Sequence, residues 1–175
     1  MTAEKIVTAL RAHTTLTLAY VDAEGPQACA VLYAVTRTGS LVFVTSPGTR
    51  HGRALAAGRG PGPGAAPRVG PGSGPDSASA AARVAFTVQA DGQEWTELTG
   101  VQGRGEVIGL ADGSPERAAA WAAYTERFPF VTEDDRLGAA LAATALWELR
   151  PDWLRLVDNR LGFGSKEEWA SPPRG

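Results

Sequence analysis

Leu41-Val42-Phe43-Val44-Thr45-Ser46-Pro47-Gly48-Thr49-Arg50-His51-Gly52-Arg53-Ala54-Leu55 changes character twice along its length. Leu41 to Val44 is an apolar, β-forming run and predicts a strand. Thr45-Ser46-Pro47-Gly48 is a turn by composition. Thr49 then stands where a helix cap belongs, with Ala54, Leu55, Ala56 and Ala57 behind it as a short helix. The turn gathers hydroxyls, backbone N–H groups and the side chains of Arg50, His51 and Arg53 at a helix N-terminus. Those are the groups that hold a phosphate. The macrodipole repels arginine in the first turn of a helix, and an anion would resolve the conflict. The alternative is a basic, solvated helix start.

Upstream, Thr2 to Ala12 has helical spacing at Ile6, Ala9 and Leu10. Thr14 to Val21 alternates and predicts a strand, Asp22 to Pro26 a hairpin connection, and Gln27 to Val35 a second strand. With Leu41 to Val44 these make an antiparallel meander. Downstream, twelve of the eighteen residues from Gly58 to Pro75 are Gly or Pro. Such a stretch buries too little to offset its ordering entropy. The reading is one domain over 1–175 with a mobile Gly/Pro-rich insert at 58–82. A linker between two domains is the alternative.

Beyond the insert, Arg83 to Ala90 predicts a strand. Trp95 to Leu110 predicts a long one, and its Gly100, Gly103 and Gly105 mark bulges, bends or a close approach. Ser114-Pro115-Glu116 starts a helix that runs to Phe128, and Thr132 caps another over Glu133 to Thr144. Ala145 to Asp158 is a last strand interrupted at Pro151, and Asn159 to Trp169 is a tail anchored by Phe163 and Trp169. About six mostly antiparallel strands with helices set apart predict an α+β fold, and the bent strands predict a small closed barrel.

A formal net charge of -2 gives no drive toward nucleic acid. Cys29 is the single cysteine, so an intramolecular disulfide is excluded, and with His13 and His51 the only histidines no metal centre is expected. A basic-then-apolar leader and an 18-residue apolar run are both lacking, so a cytoplasmic protein without a membrane span is the expectation. Hydrolase chemistry needs a base beside a nucleophile, and no Gly-x-Ser-x-Gly elbow supplies one. No catalytic side chain is assigned.

Thr45-Ser46-x-x-Thr49-Arg50-His51-x-x-Ala54-Leu55 resembles the phosphate-binding segment of the pyridoxamine 5′-phosphate oxidase-like, FMN-binding split-barrel superfamily. The order of elements is similar too. The ending Trp153-Leu154-Arg155-Leu156-Val157-Asp158-Asn159-Arg160-Leu161-Gly162-Phe163-Gly164 resembles a subset of that superfamily distinct from the true pyridoxamine phosphate oxidases. The resemblance implies a six-stranded, mostly antiparallel split β-barrel of Greek-key connectivity with peripheral helices. It implies a homodimer with the flavin between protomers. Arg50 and His51 would meet the phosphate, and Thr45, Ser46 and Thr49 would line it. The backbone at Ala30, Val31, Leu32 and Tyr33 would line the ring, with Gln102 as a polar contact. His51 stands where the superfamily usually has lysine, and the substrate arginines and histidine of the vitamin oxidases have no counterpart here.

Three readings follow. The first is an FMN-dependent oxidoreductase acting on a small molecule, with NADH or NADPH as electron donor. The second is the same barrel holding a deazaflavin, helped by Arg53, Arg59 and Arg68, or a haem ligated by His13, His51, Cys29 or Met1. The third is a non-catalytic flavin-binding or sensor protein.

Overall fold

Period-two alternation becomes a closed ring of strands in the computed structural model, which describes residues 2–58 and 81–171. In chain order the elements are α1 (Thr2–Arg11), β1 (Thr15–Asp22), β2 (Gly25–Val35), β3 (Leu41–Val44), α2 (Arg50–Ala56), β4 (Ala82–Gln89), β5 (Thr99–Gly109), α3 (Pro115–Arg127), α4 (Phe130–Glu133), α5 (Asp135–Ala142), β6 (Leu146–Asp158) and β7 (Lys166–Ala170). The strands lie in the order β3-β2-β1-β4-β5-β6-β7, and β3 also pairs with β6. Six strands therefore close on themselves, every pairing antiparallel, and β7 is added to the outside edge of β6. The fold is an α+β split barrel. Among the described residues no helix is long and apolar enough to cross a membrane.

Alternate residues of β1 (Leu16, Leu18, Tyr20), β4 (Val84, Phe86, Val88) and β5 (Val101, Val107) turn into the ring. Ile6 and Leu10 of α1 and Leu55 of α2 join the same core. Each such side chain contributes about 1.5–3 kcal/mol by leaving water. A second cluster, with Ala120, Tyr124, Phe128 and Val131, holds α3 and α4 against Ala34 and Val42 on the outside of β2 and β3.

Several local readings are corrected. The β1–β2 connection is only Ala23-Glu24, because Gly25 supplies the φ of +109° that a tight hairpin needs. β5 begins at Thr99, not Trp95. The Gln93 side chain bonds the N–H and carbonyl of Thr99, standing in for a strand partner. The helix expected over Glu133 to Thr144 is split at Asp134, whose carboxylate caps α5 through the N–H groups of Arg136 and Leu137, so Asp134 takes the capping role expected of Thr132. β6 continues through Pro151 as one strand, and the interruption expected there is a slip in pairing that leaves Asp152 without a register partner on β5. The register slips beside Gly105, where an added Cβ would stand 2.2 Å from the Arg150 carbonyl oxygen. The tail holds a seventh strand, whose five residues were too short and too charged to announce it. The insert expected at 58–82 lies, apart from its ends, outside the described residues.

Candidate functional site

The turn after β3 is built by its own hydroxyls. Thr49 caps α2, its Oγ1 accepting from the Gly52 N–H at 3.0 Å and donating to the Ser46 carbonyl at 2.8 Å. Ser46 Oγ accepts from the Gly48 N–H at 3.1 Å. Trp147 on β6 donates its indole N–H to the Thr45 carbonyl at 3.1 Å, pinning the point where the chain leaves the sheet. Gly52 fits because it lacks a Cβ, which would lie 2.1 Å from the Ser46 carbonyl oxygen.

The two charged candidates are less free than the sequence implies. Arg50 Nε donates to Asp22 Oδ2 at 2.7 Å, and Arg50 Nη2 donates to Glu24 Oε2 at 2.7 Å. The guanidinium, with its side chain 44% exposed, is thus held by two carboxylates of the β1–β2 hairpin. The hydrogen bonds from Arg50 keep the Asp22 carboxyl below its usual range. His51 lies edge-on to Tyr20, and its Nε2 is 2.6 Å from Thr45 Oγ1. Burial lowers its pKa, so the imidazole is neutral at pH 7. Arg53 donates to the Gly48 carbonyl. Between these residues and the hairpin lies a cleft of about 330 Å³, its lining including Asp22, Glu24, Arg50 and Arg53.

β2 is eleven residues long and β3 only four. β3 pairs with Tyr33 to Val35 and then departs at Thr45. β1 covers one edge of β2 along Gly25 to Leu32, and no described strand pairs with the other edge there. An open strand edge therefore adjoins the turn. Ala30 and Leu32 face outward and are exposed, whereas Val31 and Tyr33 face the core. Tyr33 is fixed from inside, its hydroxyl donating to the Leu10 carbonyl.

Gln102 is exposed on the outside of β5. Its register partners run through Thr87 and Thr17 to Ala30, so it shares one outer row with β2. Three strand spacings, about 14 Å, separate the two positions. Within one chain Gln102 is not brought to the turn.

Sequence reasoning missed Asp22 and Glu24, read only as hairpin residues, and missed Gly52 and Trp147. Two acids at the tip of a hairpin were a visible signal, but their register against Arg50 was not.

No family model matches the chain. A UPF0306 protein of Klebsiella pneumoniae is 35% identical over 88 residues, 50% of this chain and 53% of that protein. A UPF0306 protein of Enterobacter sp. is 38% identical over 89 residues, 50% of this chain and 55% of that protein. The chain spans about half the length of these curated relatives. A heme binding protein from Mycobacterium smegmatis superposes with a TM-score of 0.65 at 22% identity, over 97% of this chain and 58% of that one. The heme storage protein HutZ from Vibrio cholerae gives 0.58 at 21% identity, over 86% and 91%. An FAD binding protein from Mycobacterium smegmatis gives 0.57 at 12% identity, over 98% of both. At these identities the likeness is one of fold, and the fold is the split barrel.

Proposed function

We propose that this chain is an FMN-binding oxidoreductase of the pyridoxamine 5′-phosphate oxidase-like type, acting as a homodimer. The observation that carries the reading is the meeting of a basic helix start with the uncovered edge of β2. A phosphate fits the turn if Arg50 exchanges Asp22 and Glu24 for it. Ser46 keeps a hydroxyl proton to donate. Thr49 serves as the cap and Thr45 as the holder of His51. The outward faces of Ala30 and Leu32 offer an apolar bed for a flat ring, and a second copy would cover it and bring its own Gln102. When bound, the flavin supplies hydride transfer, so the chain needs no acid or base of its own. NADH or NADPH would serve as donor to a small-molecule substrate.

A second reading puts haem or a deazaflavin on the same edge. It is favoured by the fold neighbours named for haem. It is limited by the ligands: His51 Nε2 is engaged by Thr45, Cys29 packs against the core, His13 lines a separate cleft beside α3, and Met1 lies outside the described residues. Of the arginines expected to help a deazaflavin, Arg53 is spent on Gly48, and Arg59 and Arg68 lie outside the described residues.

The test is a visible absorption spectrum, then titration with FMN, haem and a deazaflavin in separate arms. FMN is expected to bind, and Arg50→Ala to weaken it about 10- to 100-fold, the value of a charged hydrogen bond. A colourless protein that ignores all three ligands would overturn the reading.

A further inference from the structure

A second concavity lies at the opposite end of β3. From Ser40 to Thr45 the strand covers about 17 Å, so this cleft is separate from the turn at Thr45–His51. It lies between α3 and the turn joining β2 to β3, with a volume of about 1160 Å³. Pockets for small organic molecules are commonly of that order.

Among the described residues, Arg11, Arg37, Arg53, Arg127 and Arg136 have no carboxylate partner, whereas the other described arginines all do. Three of the five, Arg11, Arg37 and Arg127, line this one cleft, although they come from α1, the β2–β3 turn and α3. Arg127 reaches only the His13 carbonyl, at 3.3 Å. Arg150 also lines the wall, but Glu148 holds it at 2.7 Å. The lining includes Glu116 and Glu126 as well, so it carries four arginines against three glutamates in a chain of net charge -2.

The floor is apolar and small. α3 turns Ala119, Ala120 and Ala123 toward the cleft and sends Tyr124 into the cluster beneath. Larger residues at the alanine positions would fill the space. The three guanidiniums are exposed, and the carboxylate of a guest offers them the charged partner they lack in this fold.

We propose that this cleft binds a small organic acid, its carboxylate on Arg11, Arg37 and Arg127 and its apolar body on the alanine floor. The site is independent of the turn at Thr45–His51.

Calorimetric titration of the full chain at low ionic strength tests it, with succinate, suberate and benzoate as probes and 1,8-octanediol as the neutral control. Saturable binding is expected for at least one acid and not for the diol. Arg37→Ala and Arg127→Ala should each weaken it by about tenfold or more. Arg136→Ala, an equally unpaired arginine outside the cleft, should leave it within about twofold. Ala123→Trp should abolish it by filling the floor. The proposal fails if none of the three acids saturates. It fails equally if Arg136→Ala weakens binding as much as Arg37→Ala, since the attraction would then be general charge.

Discussion

Arg50, the first residue of α2, grips Asp22, the last residue of β1, through two hydrogen bonds of 2.7 and 3.4 Å. A guanidinium fork on a carboxylate is the arrangement it would also offer a phosphate. The hairpin and an anionic ligand therefore compete for one side chain. Glu24, 2.7 Å from the same guanidinium, adds to the competition.

Replacing Asp22→Asn should make the turn a better anion site. At pH 7, FMN and inorganic phosphate should both bind about three- to tenfold tighter to the variant, as one competing charge is removed. Stability should respond to acid in the opposite sense. The folded chain lowers the Asp22 pKa, so the pair's contribution is complete above the ordinary carboxylate value of about 4. It fades as pH falls through the lowered value. Thermal melts of wild type and Asp22→Asn should differ at pH 6 and converge as pH falls through the lowered value. Unchanged phosphate affinity in the variant would show that the carboxylate is no competitor.

His51 titrates with the same sign for a different reason. Burial disfavours its cationic form, so the folded pKa lies below the unfolded value of about 6.5. The unfolded chain then binds more protons, and stability declines as pH falls through 6.5 toward the folded value. Urea midpoints measured from pH 8 to pH 5 should fall more for wild type than for His51→Gln. His51→Lys, which carries its charge at pH 7, should bind phosphate several-fold more tightly there than wild type.

The ring of strands was legible because its pattern is local: Leu16, Leu18 and Tyr20, or Val84, Phe86 and Val88, alternate in plain view. The cap at Thr49 and the cap at Ser114 were legible for the same reason. β7 was not, since Lys166-Glu167-Glu168 reads as solvent-facing chain until β6 is there to pair with it. The turn at Thr45–His51 could be found, but its electrostatic state could not. Whether Arg50 is free or held depends on Asp22, twenty-eight residues earlier, arriving beside it. The bland reading of a basic helix start and the functional one share the same residues, and only the fold sets Asp22, Glu24 and the open edge of β2 around them.

Gly52 should resist substitution although it sits inside a helix, where alanine is ordinarily the better residue. An added Cβ would stand 2.1 Å from the Ser46 carbonyl oxygen and 2.9 Å from Thr49 Oγ1. Gly52→Ala must push the turn away from α2 and should cost about 1–3 kcal/mol, as overpacking does. Gly48→Ala is the control, because its Cβ would meet only Ser46 Oγ at an ordinary 3.4 Å. Urea unfolding of the two variants should separate clearly. Equal midpoints would mean that the turn is soft enough to give way.

The run from Asp158 to Gly164 should prove structural in its effect. Asp158 caps the short turn at Asn159–Leu161 by accepting from the Arg160 N–H, and it pairs with the Arg160 side chain at 2.8 Å. Asn159 ties this turn to the segment before β5, its Nδ2 donating to the Trp95 carbonyl at 2.8 Å and its Oδ1 accepting from the Gly164 N–H at 3.1 Å. Gly162 and Gly164 both have positive φ, +123° and +72°, which suits glycine. The clamp holds Phe163 and Trp95 with ring centres 5.8 Å apart, although they are 81% and 64% exposed. Asn159→Ala removes both side-chain bonds and should cost about 1–3 kcal/mol. Trp95 and Phe163 should then separate. NMR line positions of the Trp95 indole would report it, while FMN affinity at the distant turn should stay within about twofold. A fall in FMN affinity equal to that of Arg50→Ala would instead tie this clamp to the cofactor, across the interface between two copies.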